Sequence, residues 1–185
     1  FQASSPRRTH RYEDVLADPN VDAVIIATPH HWHGPMTLHA IQQGKDVYIE
    51  KPLSHVFNEG PAIINAVRKH NTILQHGSQM RSSPVTYKAE QLLKDGLIGD
   101  VEAIVSYGGG GFLSYACHGP DLICQFAGSY PKTVIATAHL RDEAPEGYER
   151  EPVLDGMIIE FENGVVGQQT GHNGEHGGFY CEVVG

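Results

Sequence analysis

Residues 21–54, VDAVIIATPHHWHGPMTLHAIQQGKDVYIEKPLS, constrain the fold of this chain more than any other stretch. They open on an apolar run, residues 23–27, whose β-branched Val24, Ile25 and Ile26 suit a short strand buried on both faces of a parallel sheet. Thr28 and Pro29 end it. Met36, Leu38, Ala40 and Ile41 then recur at helical period as far as Gly44, and residues 46–50 make a second strand segment. The order strand, helix, strand is one βαβ unit. In open parallel sheets ligands gather at the carboxyl ends of the strands. Here those ends carry Thr28-Pro29-His30-His31-Trp32-His33 and Glu50-Lys51-Pro52, so two polar clusters are expected at one crevice.

The flanking segments extend this pattern and then change it. Residues 12–17 read as a short helix closed by Asp18-Pro19-Asn20. In residues 57–71, Ala62, Ile63, Ile64, Ala66 and Val67 fall on one helical face, and a strand follows at 72–77. Ser83 and Pro84 fit an N-cap and first helical position for a helix that ends at Gly96. Residues 101–107 read as a strand, Gly108 to Gly111 as a bend, and 114–127 as one helix. Beyond Lys132 the pattern is strand-rich, at 133–140, 153–161, 165–170 and 179–184. Glu162-Asn163-Gly164 predicts a hairpin with a type I′ turn. The fold class expected is α/β plus α+β: a partial Rossmann-type parallel sheet over residues 1–82, then an α+β domain with a mostly antiparallel sheet over 83–185.

Composition narrows the partners. The 185 residues carry 22 acidic against 13 basic side chains, a formal charge of −9, which argues against nucleic acid or an anionic membrane and for a small molecule. Cys117, Cys124 and Cys181 show no metal spacing and no even disulfide set, which suits either a reducing, cytoplasmic compartment, with export left open, or simply buried thiols. His30, His31 and His33 have no carboxylate or cysteine at ligand spacing, so no metal is expected. No apolar run reaches the roughly 18 residues of a membrane span. No G-x-G-x-x-G turn precedes residue 21, so the chain reads as beginning in mid-fold and its 185 residues are expected to hold a dinucleotide weakly or undetectably.

The segments YEDVLADPNVDAVIIATPHHWH, GKDVYIEKPLS, QHGSQMRSS, GLIGDVEAIVSY and GGGGFLSYACHGPDL resemble the Gfo/Idh/MocA family of nicotinamide-dependent oxidoreductases. The resemblance covers nearly the whole chain. Its specific feature is Glu-Lys-Pro at a strand end, following an A-T-P-x-x-x-H turn. It implies NAD or NADP as cofactor, a sugar, polyol or related secondary alcohol as substrate, and a homo-oligomer built on the open sheet of the second domain. It further implies that Thr28, Pro29, His33, Glu50, Lys51, Pro52, Gln79 and Arg81 border the cofactor. His118 matches the histidine of the family's D-x-x-x-H helix and Lys51 its partner lysine. Ser114 stands where that helix usually carries aspartate, and the segment leading into the glycine run is shorter than in relatives with this Gln-Met-Arg stretch.

Oxidising a secondary alcohol takes a base for the hydroxyl proton and a cation for the developing alkoxide. His118, with an imidazole that titrates near neutrality, is the expected base. Lys51 is the expected cation, and Ser114 and Asp121 complete the expected substrate contacts. Ser114 cannot supply a carboxylate charge, which predicts weaker turnover than in an aspartate-bearing relative. Asp121, three residues past His118, is the candidate to restore that charge. Two other readings are an NAD-dependent glycosidase of the same family and a non-catalytic binding or regulatory scaffold.

Overall fold

The computed structural model of the chain describes residues 6–140, 150–171 and 180–185. Two compact units emerge, residues 1–77 and 78–185, each with its own core. The change of unit falls a few residues ahead of the expected boundary at 82, so Gln79 and Arg81 belong to the second unit.

The first unit is a parallel sheet in the order β1-β2-β3, made of Ala23–Ile26, Asp46–Glu50 and Leu74–Gly77. Helix α1 (Tyr12–Ala17) precedes it, and α2 (His30–Gln42) and α3 (Glu59–His70) connect the strands. Ile26, Ala40, Ile41, Val47, Ile49 and Ile63 form the core between sheet and helices. Lys45 closes the entry to β2, its Nζ donating to the carbonyls of Asp18 at 2.9 Å and Val21 at 2.8 Å.

Two expectations for this unit need correction. β1 is not buried on both faces: Ile25 is 78% exposed, because among the described residues the helices cover only the face that Ile26 occupies. The buried face of α3 is also narrower than its apolar count, since Ile63, Ala66 and Val67 join the core while Ala62 and Ile64 face solvent. A third difference matters for the site. Helix α2 begins at His30, directly after Pro29, so the three histidines lie in its first turns and not in a loop.

The second unit opens with a 3₁₀ turn, Gln79–Ser82, and α4 (Pro84–Lys94), whose predicted cap is present: Ser83 Oγ accepts from the Thr86 amide at 3.1 Å. Its sheet runs β5-β6-β7-β4-β8, with β4 at Ala103–Tyr107, β5 at Pro131–Leu140, β6 at Pro152–Phe161, β7 at Val166–Thr170 and β8 at Tyr180–Val184. Among the described residues of this sheet only the β4–β7 pair is parallel. Phe179, the expected start of β8, lies outside the described residues.

Helix α5 (His118–Ala127) packs Ile123 and Ala127 against Ile104, Ile159, Phe161 and Val165 on one face of this sheet. The helix predicted over 114–127 is in fact broken. Residues Phe112–Ala116 form a π turn, with the Ala116 amide donating to Gly111 and the Cys117 amide to Phe112, both at 2.9 Å. The β6–β7 hairpin is present but its turn is not type I′. Phe161 and Val165 close a three-residue loop in which Gly164 alone takes positive φ, at 90°, the geometry of a type I turn followed by a glycine bulge.

Among the described residues no helix is long and apolar enough to cross a membrane. Cys124 and Cys181 pack against the core of the second unit, and burial pushes the Cys181 thiol up to about 11. Raising a thiol pKa depletes the thiolate at any pH below it. At pH 8, Cys181 should therefore be carbamidomethylated by iodoacetamide more than about tenfold more slowly in the folded protein than in guanidinium, as followed by peptide mass spectrometry. Equal rates would mean that the strand does not shield it.

Candidate functional site

In the first unit the polar strand ends meet through one side chain. His33 is 1% exposed, on the first turns of α2, and its ring lies between two backbone carbonyls. Nδ1 is 2.6 Å from the carbonyl oxygen of Pro52, and Nε2 is 2.8 Å from that of Thr28. Carbonyls only accept, so the ring serves as the donor: a neutral imidazole offers one proton and an imidazolium two. The turn after β1 and the turn after β2 are thereby tied to one helix. Both ring nitrogens being committed in this way, neither points to a metal.

The Thr28 hydroxyl is buried at this tie with no hydrogen-bond partner among the described residues. An orphaned polar atom at the carboxyl edge of a parallel sheet fits a site built to receive a polar ligand. Glu50, Lys51 and Pro52 leave the end of β2 half-buried, and Lys51 and Pro52 are joined by a cis peptide. The structure thus brings Thr28, Pro29, His33, Glu50, Lys51 and Pro52 together in the first unit.

The second unit holds the other predicted residues in two groups. His118 begins α5 and is 5% exposed, with the Tyr115 ring edge-on to its imidazole at 6.5 Å. The π turn before it is pinned at its end by Gln169, itself 1% exposed, whose Nε2 donates to the carbonyls of Gly108 at 2.8 Å and Ala116 at 3.0 Å. At its start, Glu151 accepts from the amides of Leu113 and Ser114, both at 3.0 Å, and from the Ser114 hydroxyl.

Asp121 belongs to a different group. Its carboxylate accepts from Arg81 Nε at 2.7 Å and from the Ser78 hydroxyl, and its carbonyl accepts from Arg81 Nη2 at 3.2 Å. This ion pair fastens the 3₁₀ turn carrying Gln79 to the first turn of α5. The carboxylate at Ser114 is therefore that of Glu151, while both oxygens of Asp121 are engaged by Arg81 and Ser78.

Gln169 and Glu151 escaped sequence reasoning. Gln169 left a trace, since it falls on the inward phase of β7 with Val165 and Gly167, where a polar residue must find backbone partners. Glu151 left none: its partners are 37 and 38 residues away in sequence.

A parallel βαβ sheet with a polar, histidine-tied carboxyl edge defines the class of the first unit as a Rossmann-type fold. Residues 2–78 match the profile of an oxidoreductase family with an NAD-binding Rossmann fold, Gfo/Idh/MocA. The scyllo-inositol 2-dehydrogenase (NAD(+)) of Bacillus subtilis (strain 168) is 30% identical over 170 residues, covering 83% of this chain and 49% of its own length. The 1,5-anhydro-D-fructose reductase of Ensifer adhaerens is 27% identical over 175 residues, covering 84% and 52%. In fold, the chain is similar to an NAD binding oxidoreductase from Klebsiella pneumoniae, with a TM-score of 0.80 at 22% identity over 96% of this chain and 55% of that one. The chain belongs to the Gfo/Idh/MocA family. It spans about half the length of the curated relatives it matches.

Removing the tie should uncouple the two turns. His33→Ala is expected to destabilise the first unit by about 1–3 kcal/mol, because a part-buried carbonyl loses its donor and the ring leaves a gap, as read from denaturant titration. A change below about 0.5 kcal/mol would show that the turns hold without it.

Proposed function

We propose that this chain supplies the reacting residues of an NAD(P)-dependent oxidoreductase acting on a sugar, a polyol or a related secondary alcohol. The observation that carries the reading is the His33 tie, which holds the Thr28-Pro29 and Lys51-Pro52 turns as one polar edge in a family of NAD-binding oxidoreductases. The substrate class is supported by relatives named for inositol and for anhydrofructose.

When bound, the nicotinamide supplies the hydride acceptor. Thr28, Pro29, His33, Glu50, Lys51 and Pro52 are assigned to its reactive end, the unpartnered Thr28 hydroxyl being a donor ready for a polar ligand atom. Gln79 and Arg81 are assigned to the border between cofactor and substrate, with Arg81 held in place by Asp121. Lys51 is the cation that stabilises charge developing on the alcohol oxygen. His118, buried at the start of α5, accepts the hydroxyl proton. Ser114 orients the substrate beside it, and Asp121 acts at one remove, through Arg81 and Ser78.

The second unit also offers a face for self-association. Ile135, Ile158 and Val166 are exposed on the side of the sheet opposite α5, which supports a homo-oligomer paired through that face.

With scyllo-inositol or another polyol as substrate, Lys51→Met and His118→Asn should each lower kcat by about 10²–10⁴ while the far-UV circular dichroism stays unchanged. Near wild-type turnover in either variant would overturn these roles. Net accumulation of NADH is the expected product signature; with an aryl glycoside offered in place of the polyol, release of the free aglycone without NADH would instead indicate the glycosidase reading.

A further inference from the structure

We infer that Glu151 is a positioning residue of the His118 half-site: its carboxylate fixes the π turn that launches α5 and brings negative charge to Ser114. Three donors converge on it. The amides of Leu113 and Ser114 reach one oxygen at 3.0 Å each, and the Ser114 hydroxyl donates to the other. Charge-assisted bonds to a carboxylate are about twice as strong as neutral ones, so this is the firmest attachment that the start of the turn makes.

The backbone is shaped around it. A Cβ on Gly111 would overlap the Glu151 carboxylate, so the carboxylate in this position relies on glycine there. Gly111 is also bridged to Val153, two residues beyond Glu151, which seats the carboxylate over the turn. The turn needs such an anchor. The amides of Tyr115 and Ala116 both donate to Gly111, leaving those of Leu113 and Ser114 for an outside acceptor.

The arrangement also changes what Ser114 does. A hydroxyl has one proton, and Ser114 gives it to Glu151 in preference to the Gly111 carbonyl at 3.5 Å. Its oxygen therefore meets everything else as an acceptor polarised by an anion. With Gln169 holding the Ala116 carbonyl, the turn is pinned at both ends, and His118 follows two residues later. A serine at position 114 thus works here as the tip of a carboxylate that comes from the residue just before β6.

The kinetic part of this inference rests on His118 being the proton acceptor; the structural part does not. In ¹H–¹⁵N spectra of the full chain, Glu151→Gln should shift the Leu113 and Ser114 amides, speed their exchange and displace or split the His118 imidazole signals. In turnover it should lower kcat about 10- to 100-fold with KM changed less than twofold. Ser114→Asp should fail similarly by abutting two carboxylates, and S114D/E151Q should recover most of the loss. Should Glu151→Gln fold poorly, Ser114→Ala, which deletes one contact of three, should move the His118 signals the same way. Unchanged His118 signals in a folded Glu151→Gln or Ser114→Ala, or a double variant no better than Ser114→Asp alone, would overturn the inference. Absence of wild-type turnover alongside the expected spectral changes would sink the oxidoreductase reading and leave the positioning role standing.

Discussion

The buried imidazole of His33, set between the carbonyls of Thr28 and Pro52, is the interaction on which the candidate site depends. A parallel sheet ends in loops whose carbonyls have left the strand ladder, and burying them unpaired costs roughly 1–3 kcal/mol each. One side chain lies between both here, and as a neutral ring it donates to one of them. Because it rises from the first turns of α2, the helix that follows β1 also fixes the loop that follows β2. The turn that carries Lys51 and Pro52 is thereby tied to the turn after β1.

The second unit solves the same problem with different groups. Where β4 runs into the glycines, the ladder stops and the chain must turn before α5 can begin. Gln169 takes the carbonyls of Gly108 and Ala116, and Glu151 takes the amides of Leu113 and Ser114. Regular structure supplies the scaffold, and long polar side chains hold the irregular backbone between its elements. The residues to which the proposal assigns chemistry border such joints in both units: Lys51 just past a strand, His118 just past a π turn.

What could be read in the chain beforehand follows from range. The βαβ order, the Ser83 cap and the β6–β7 hairpin are legible because a few neighbouring residues decide them. Residues Lys51, His118 and Ser114 were found through resemblance, each within a local motif. The exposure of Ile25 was not legible, since an apolar strand looks alike whether one face or two are covered. The Asn163-Gly164 pair announces a turn but not its type, because one or two positive φ values both suit it. The π turn arises from Gly111 accepting two amides and from Glu151 and Gln169 bonding across the fold, and nothing local marks those partners.

The central claim is that the edge tied by His33 presents Lys51 to an alcohol that loses hydride to a nicotinamide while His118 takes its proton. The most direct measurement is isotopic: incubate the protein with NAD and a polyol deuterated at its carbinol carbon, and analyse the nicotinamide by mass spectrometry and NMR. The account predicts deuterium at C4 of the reduced ring, on one face only. Deuterium retained on the polyol, or lost to solvent with none on the nicotinamide, would contradict it.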